Sequence, residues 1–152
     1  MAGYQEIRFD VRPFGGSARE LVPVVSSRSL ADRAAAFETD RGLTPAGRYM
    51  GLVLDYYNFG DLTRYLTGVE ESWEGDPVQL LSCSSCGEWG CWPLTASVTV
   101  TLDAVLWSGF RNPHRDDRDY SRFGPFAFLA ADYHAAVSSA ASRVTPPSAG
   151  AT

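Results

Sequence analysis

The stretch Leu94-Thr-Ala-Ser-Val-Thr-Val-Thr-Leu-Asp-Ala-Val-Leu-Trp-Ser-Gly-Phe110 decides the fold class. Leu94, Ala96, Val98 and Val100 alternate with Thr95, Ser97, Thr99 and Thr101, the period-two pattern of a strand with one buried face. Ala104 to Phe110 returns as the second arm of a hairpin. With a two-residue loop, Val100 faces Val105 and Val98 faces Trp107, which gathers apolar side chains on one side. Leu102-Asp103 is a poor type I′ pair, so a longer loop stays open.

Upstream, Ile7, Phe9 and Val11 alternate with Arg8, Asp10 and Arg12, a second half-buried strand that Pro13 and Gly15-Gly16 end. Glu20 to Val25 reads as a further strand, with Pro23 suggesting a sheet edge. Ser29 is placed as a helix N-cap with Asp32 three residues on, Leu30, Ala34 and Phe37 share one face, and Gly42 is a stop. These signals predict a helix over 30–40. Leu52 to Phe59 reads as a strand, Asp61 caps a short helical turn through Leu66, and the acidic run Glu70 to Asp76 reads as a loop. Val78 to Ser82 is a short apolar strand, Asn112 to Phe126 a long charged connection, and 130–143 a final helix. The tail 144–152, with Pro146-Pro147 and small residues, is expected to be disordered. The order predicts a single α+β domain over 1–143, a mainly antiparallel sheet with two helices packed on one face.

The chain has 152 residues, enough for one core of ordinary size. Its net charge of −5 argues against a broad phosphate-binding surface and so against nucleic acid as a partner. All 13 basic residues are arginine, which excludes lysine Schiff-base chemistry and a phosphate loop that needs lysine. The two histidines, His114 and His134, are too few for a site built on several imidazoles. No apolar run approaches membrane-spanning length and no signal pattern opens the chain, so a cytoplasmic protein without a membrane partner is expected.

All 3 cysteines fall within Cys83-Ser-Ser-Cys-Gly-Glu-Trp-Gly-Cys91. Cys83, Cys86 and Gly87 match the local pattern of a zinc knuckle, in which glycine lets the chain bend and turns backbone N–H groups toward sulfur. Cys91 supplies a third thiol, and tetrahedral zinc needs a fourth ligand. Carried to its end, the two-residue-loop register sets Cys91 opposite His114; a three-residue loop moves the partner to Pro113 and turns the second arm over. The ligand set to test is therefore Cys83, Cys86, Cys91 and His114, with zinc as the one cofactor suggested. Two other readings stay open. Cys83 and Cys91 fit buried small residues at strand ends. A reactive thiol fits less well, because Gly87-Glu-Trp-Gly90 does not look like the helix start that lowers a thiol pKa. In an enzyme, Cys86 or Cys91 would act as nucleophile or open-site metal ligand, His114 as base or ligand, and Glu88 would assist.

Asp116, Asp117 and Asp119 have carboxylates for a hard cation and Arg115 and Arg118 have guanidinium groups for an anion, although no calcium-loop spacing is present. A solvated loop with local salt bridges is the plainer account of both. Tyr49, Tyr56, Tyr57, Phe59 and Tyr65 fit either a pocket lining or ordinary packing, Trp107 reads as core, and Trp89 as an exposed anchor.

At Cys86-Gly-Glu-Trp-Gly-Cys-Trp-Pro-Leu94 and Trp107-Ser-Gly-Phe-Arg-Asn-Pro-His-Arg115 the chain resembles a group of small uncharacterised bacterial proteins. The likeness runs on through Asp119 to Phe126 and the Phe128 to Tyr133 helix entry, about the last half of the chain. It implies one structural unit over 78–140, and no activity, cofactor or catalytic residue. The functional expectation is a small binding or accessory protein, immunity-like or regulatory, whose partner is another protein or a small molecule. A small enzyme at the cysteine turn is the alternative.

Overall fold

The computed structural model describes residues 3–13, 18–56, 61–68, 78–84, 92–115 and 117–144. Its elements follow the α+β pattern: β1 (Ile7–Pro13), β2 (Arg19–Val25), β3 (Arg28–Ser29), α1 (Leu30–Asp40), β4 (Tyr49–Met50), β5 (Leu52–Val53), α2 (Leu62–Leu66), β6 (Val78–Cys83), β7 (Leu94–Val100), β8 (Ala104–Arg111), β9 (Phe126–Leu129) and α3 (Ala130–Val144). The strands form two antiparallel sheets. One holds β1, β2, β3 and β5, with β2 central; the other runs β4-β6-β7-β8-β9.

The helix signals act as read. The Ser29 side chain accepts from Asp32 N–H at 3.1 Å, and Gly42 takes a positive φ of 70° at the end of α1. Asp61 accepts from Thr63 N–H at 2.9 Å and starts α2. The C-terminus of α3 is met by Arg19, whose guanidinium donates to the Val144 carbonyl at 3.0 Å, a cation placed at the negative end of the helix. Among the described residues no helix is long and apolar enough to cross a membrane.

The hairpin has the two-residue loop. Val100 pairs with Val105 and Val98 with Trp107. The Thr101 hydroxyl accepts from Ala104 N–H at 3.0 Å, so a side chain supplies the acceptor at the turn. The register then shifts between Thr95 and Ser97, where Gly109 on the facing strand adopts a φ of 63°. A bulge residue in this left-handed region favours glycine.

Three expectations are corrected. Pro23 is not on an edge strand. It lies opposite Phe9 in the central β2, and the ladders on its other side use Glu20, Leu21, Val24 and Val25 but not Pro23, so its missing N–H interrupts no pairing there. Leu52 to Phe59 is not one strand: β5 ends at Val53 and a 3-10 turn spans Leu54–Tyr56, while 57–60 lie outside the described residues. Phe126–Leu129, read as loop end and helix entry, is β9, with Phe126 opposite Trp107 and Phe128 opposite Val105. The acidic loop 70–76 and the tail 145–152 also lie outside the described residues.

The sheets meet at Gly51, between β4 of one sheet and β5 of the other. Its N–H donates to Glu20 at 2.8 Å and its carbonyl accepts from the Ser82 hydroxyl at 2.6 Å. A Cβ at Gly51 would lie 2.2 Å from the Leu21 carbonyl oxygen, closer than any real contact. The core is continuous across this junction, from Phe9, Leu21 and Leu52 to Leu80, Leu94 and Trp107. Substituting Gly51→Ala is expected to cost more than about 2 kcal/mol and lower the melting temperature by roughly 5 °C or more. Gly3→Ala, which meets nothing within 4 Å, should leave it unchanged; thermal denaturation followed by circular dichroism reads both.

Candidate functional site

Among the described residues, a connected set of buried polar side chains joins α1, β4 and the segment after β8. Glu38 lies eight positions beyond Leu30 and four beyond Ala34, so it shares their buried face of α1 and is itself fully buried. Its Oε2 accepts from Arg118 Nη2 at 3.0 Å and from the Tyr120 hydroxyl at 2.6 Å, and its Oε1 accepts from Gly47 N–H at 3.0 Å. Arg118 Nη2 also donates to the Pro45 carbonyl at 2.6 Å, and Nε to the Tyr120 oxygen at 3.2 Å.

Proton directions follow from the chemistry. The single Tyr120 proton goes to the carboxylate, so across the 2.9 Å contact Tyr49 is the donor and Tyr120 the acceptor. Asn112 Nδ2 donates to the Tyr49 oxygen at 3.1 Å, and Asn112 Oδ1 accepts from His114 N–H at 3.0 Å. A directed chain thus runs from the turn at Asn112 through two phenols to Glu38. Burial, first, pushes the Tyr49 phenol up to about 12, opposed in part by its bonds to Tyr120 and Asn112. Burial and the bond to Glu38 push Tyr120 upward as well.

Trp92 closes one side of this cluster. Its ring lies 6.5 Å from that of Tyr49, with Arg115 at 4.7 Å and Arg118 at 5.4 Å from the ring centroid. Phe37 of α1 stacks on Tyr120 at 5.9 Å and meets Phe123 edge-on at 5.3 Å. The residues between β8 and β9 are therefore held at Asn112, Arg118, Tyr120 and Phe123, while Pro113, His114, Arg115, Asp117, Ser121 and Arg122 face solvent.

Of the proposed zinc set, Cys83 ends β6, is buried in the core and lies opposite Tyr49. His114 is exposed in the turn after β8, where Arg115 N–H donates to the Asn112 carbonyl at 2.9 Å. Cys86, Glu88 and Cys91 lie outside the described residues. The strand register expected to set Cys91 opposite His114 does not extend that far. The ladder begins at Thr95 opposite Arg111, one residue out of step because of the bulge at Gly109. Among the described residues no group of three or more His, Cys, Asp or Glu side chains is placed to hold a metal ion. Asp119 accepts from Ser121 N–H at 2.9 Å, a local turn, and Asp116 is not described. Tyr65 donates to the Gln79 carbonyl at 2.6 Å, and Trp107 donates to the Tyr133 hydroxyl at 3.1 Å in the core. Tyr57, Phe59 and Trp89 are not described.

Sequence reasoning missed Glu38, although a carboxylate on the apolar stripe of a helix signals a buried partner. Comparison with known protein families, with curated proteins and with solved structures finds no match.

Arg118→Ala leaves the Glu38 carboxylate buried without its cation and is expected to cost about 3–5 kcal/mol, read by urea denaturation. Tyr49 stays neutral in the folded protein above the pH at which it ionises in the unfolded chain. The unfolded state therefore holds fewer protons between pH 10 and about 12, and stability falls across that window. Loss of about 1.4 kcal/mol per pH unit from this group is expected there, and Tyr49→Phe should flatten the slope.

Proposed function

We propose that this is a small cytoplasmic binding or accessory protein, of immunity-like or regulatory type, that recognises another protein through the segment 112–126. The observation that supports this most is Arg118, buried in the middle of that segment and bonded to Glu38 and the Pro45 carbonyl. Such an anchor fixes an otherwise irregular connection before any partner arrives, and preorganisation lowers the entropy cost of binding. Apart from Ser121, its exposed described residues are charged or ring-bearing, the composition of an adaptable recognition rim.

In the same reading the cysteine turn braces the sheet beside this surface. Both of its feet touch the network: Cys83 pairs with Tyr49, and Trp92 packs on Tyr49 beneath the two arginines. Zinc shared by Cys83, Cys86, Cys91 and His114 is one form of the brace, and packed thiols are another. The buried position of Cys83 favours the second for that residue.

Two measurements test the proposal. Metal analysis and thiol titration of the full chain should give either one bound zinc that His114→Ala releases, or thiols that react only on unfolding. One thiol alkylated rapidly at neutral pH in the native protein, without metal, would instead assign the turn to nucleophilic chemistry with His114 as base. Cross-linking in host cells should give a defined partner lost in Arg122→Glu and kept in Leu102→Ser, which alters the exposed hairpin tip at the far end of β8. A partner indifferent to Arg122 and Asp117 substitutions would overturn the recognition surface.

A further inference from the structure

The network leaves one buried donor unused. Trp92 is 7% exposed, and its Nε1–H meets no hydrogen-bond acceptor among the described residues. Native structures seldom carry such a group without a reason, because a donor taken from water loses its bonds there.

The two cations on this indole differ. Arg118, 5.4 Å from the ring, has its charge met by Glu38 at 3.0 Å. Arg115, 4.7 Å from the ring, is exposed and makes no ion pair with a described residue. Its backbone is fixed all the same: its N–H donates to the Asn112 carbonyl at 2.9 Å, and its carbonyl accepts from Arg118 N–H at 3.1 Å. An unsatisfied neutral donor and a guanidinium with no carboxylate partner among the described residues therefore sit on one aromatic ring, the guanidinium carried by a fixed turn.

We infer that Trp92 and Arg115 form a receptor for one carboxylate, supplied by an acidic side chain of the protein partner. This rests on reading 112–126 as the recognition surface. A carboxylate has two oxygens in one plane, one for the indole N–H and one for the guanidinium, which swings from the ring face to meet it. The charge count selects a monoanion: of the two guanidinium groups on the ring, Arg118 is paired with Glu38 and Arg115 has no ion pair with a described residue, while Asp117 and Asp119, two and four positions beyond Arg115 in the chain, add negative charge. A phosphate dianion fits less well for that reason.

The test follows the Trp92 indole N–H signal in two-dimensional 15N–1H NMR of the full chain, assigned among the four tryptophans by Trp92→Phe. Sodium propionate is titrated against sodium chloride at constant ionic strength. The expected result is a saturable shift of this signal with propionate alone. In Arg115→Gln, which keeps most of the stem on the ring, the apparent Kd should rise about tenfold, as for loss of a charge-assisted hydrogen bond. Arg28→Gln, at an exposed and distant position, should bind as the native chain does.

A signal that does not move, moves equally in chloride, or saturates equally in Arg115→Gln overturns the inference. So does saturation by inorganic phosphate with no response to propionate. Partner loss in Arg122→Glu without a propionate response removes the carboxylate receptor and leaves the recognition surface standing. A propionate response with a partner indifferent to the segment removes the recognition surface and its acidic partner together.

Discussion

The ion pair between Arg118 and Glu38 holds two parts of the chain separated by 80 positions. Taking both charges out of water is costly, and their attraction alone does not guarantee a gain. What tips the balance here is the number of bonds that replace water. The carboxylate accepts from an arginine, a phenol and a backbone N–H, and the guanidinium also reaches a carbonyl and the same phenol. The segment after β8 has no ladder of its own to hold it until β9 begins at Phe126, so its shape depends on this pair and on the phenols beside it. The turn at Asn112, His114 and Arg115 closes on its own bonds and joins this centre through the bond from Asn112 to Tyr49 and from Tyr49 to Tyr120.

Around this polar centre the aromatic residues sort into two groups. Phe9, Trp107, Phe128 and Tyr133 meet mostly edge-on beneath α3, and there Tyr133 and Trp107 bond to each other. Phe110, Phe123 and Phe126 form a second set, linked through Phe37 to Tyr120. The first group ties α3 to both sheets. The second carries the rigidity of α1 and β8 to the connection whose outer side chains face water. The surface offered to a partner is thus backed by packed rings, with the polar network between them.

Much of the fold was legible in the sequence because its signals were local. Ser29 and Asp61 bond within three residues, and the alternation in Leu94 to Val100 needs only a buried face to act on. The misreadings lie where a distant partner decides. Pro23 looked like an edge residue because nothing local reveals that the strands beside β2 avoid it. Phe126–Leu129 became a strand through pairing with β8, although a helix follows at once. The candidate site was legible only in part. The sequence offers Arg115 and Arg118 as anion-binding groups or, more plainly, as parts of a solvated loop, whereas Arg118 is buried and paired; Tyr49 is legible only as one of an aromatic cluster. Glu38 was invisible as a partner, since its distance in sequence from Arg118 hides the contact. The bulge at Gly109 undid the register projected from the hairpin to Cys91 and His114, because one extra residue turns every later side chain over.

The crossing at Gly51 carries a consequence for how the protein comes apart. One short run of chain gives β4 to one sheet and β5 to the other, and its amide and carbonyl are tied to β2 and β6. Separating the sheets must break either the amide bond to the Glu20 carboxylate or the carbonyl bond from the Ser82 hydroxyl. Opening either layer therefore strains the strand that enters the other, a coupling that favours one cooperative transition for both.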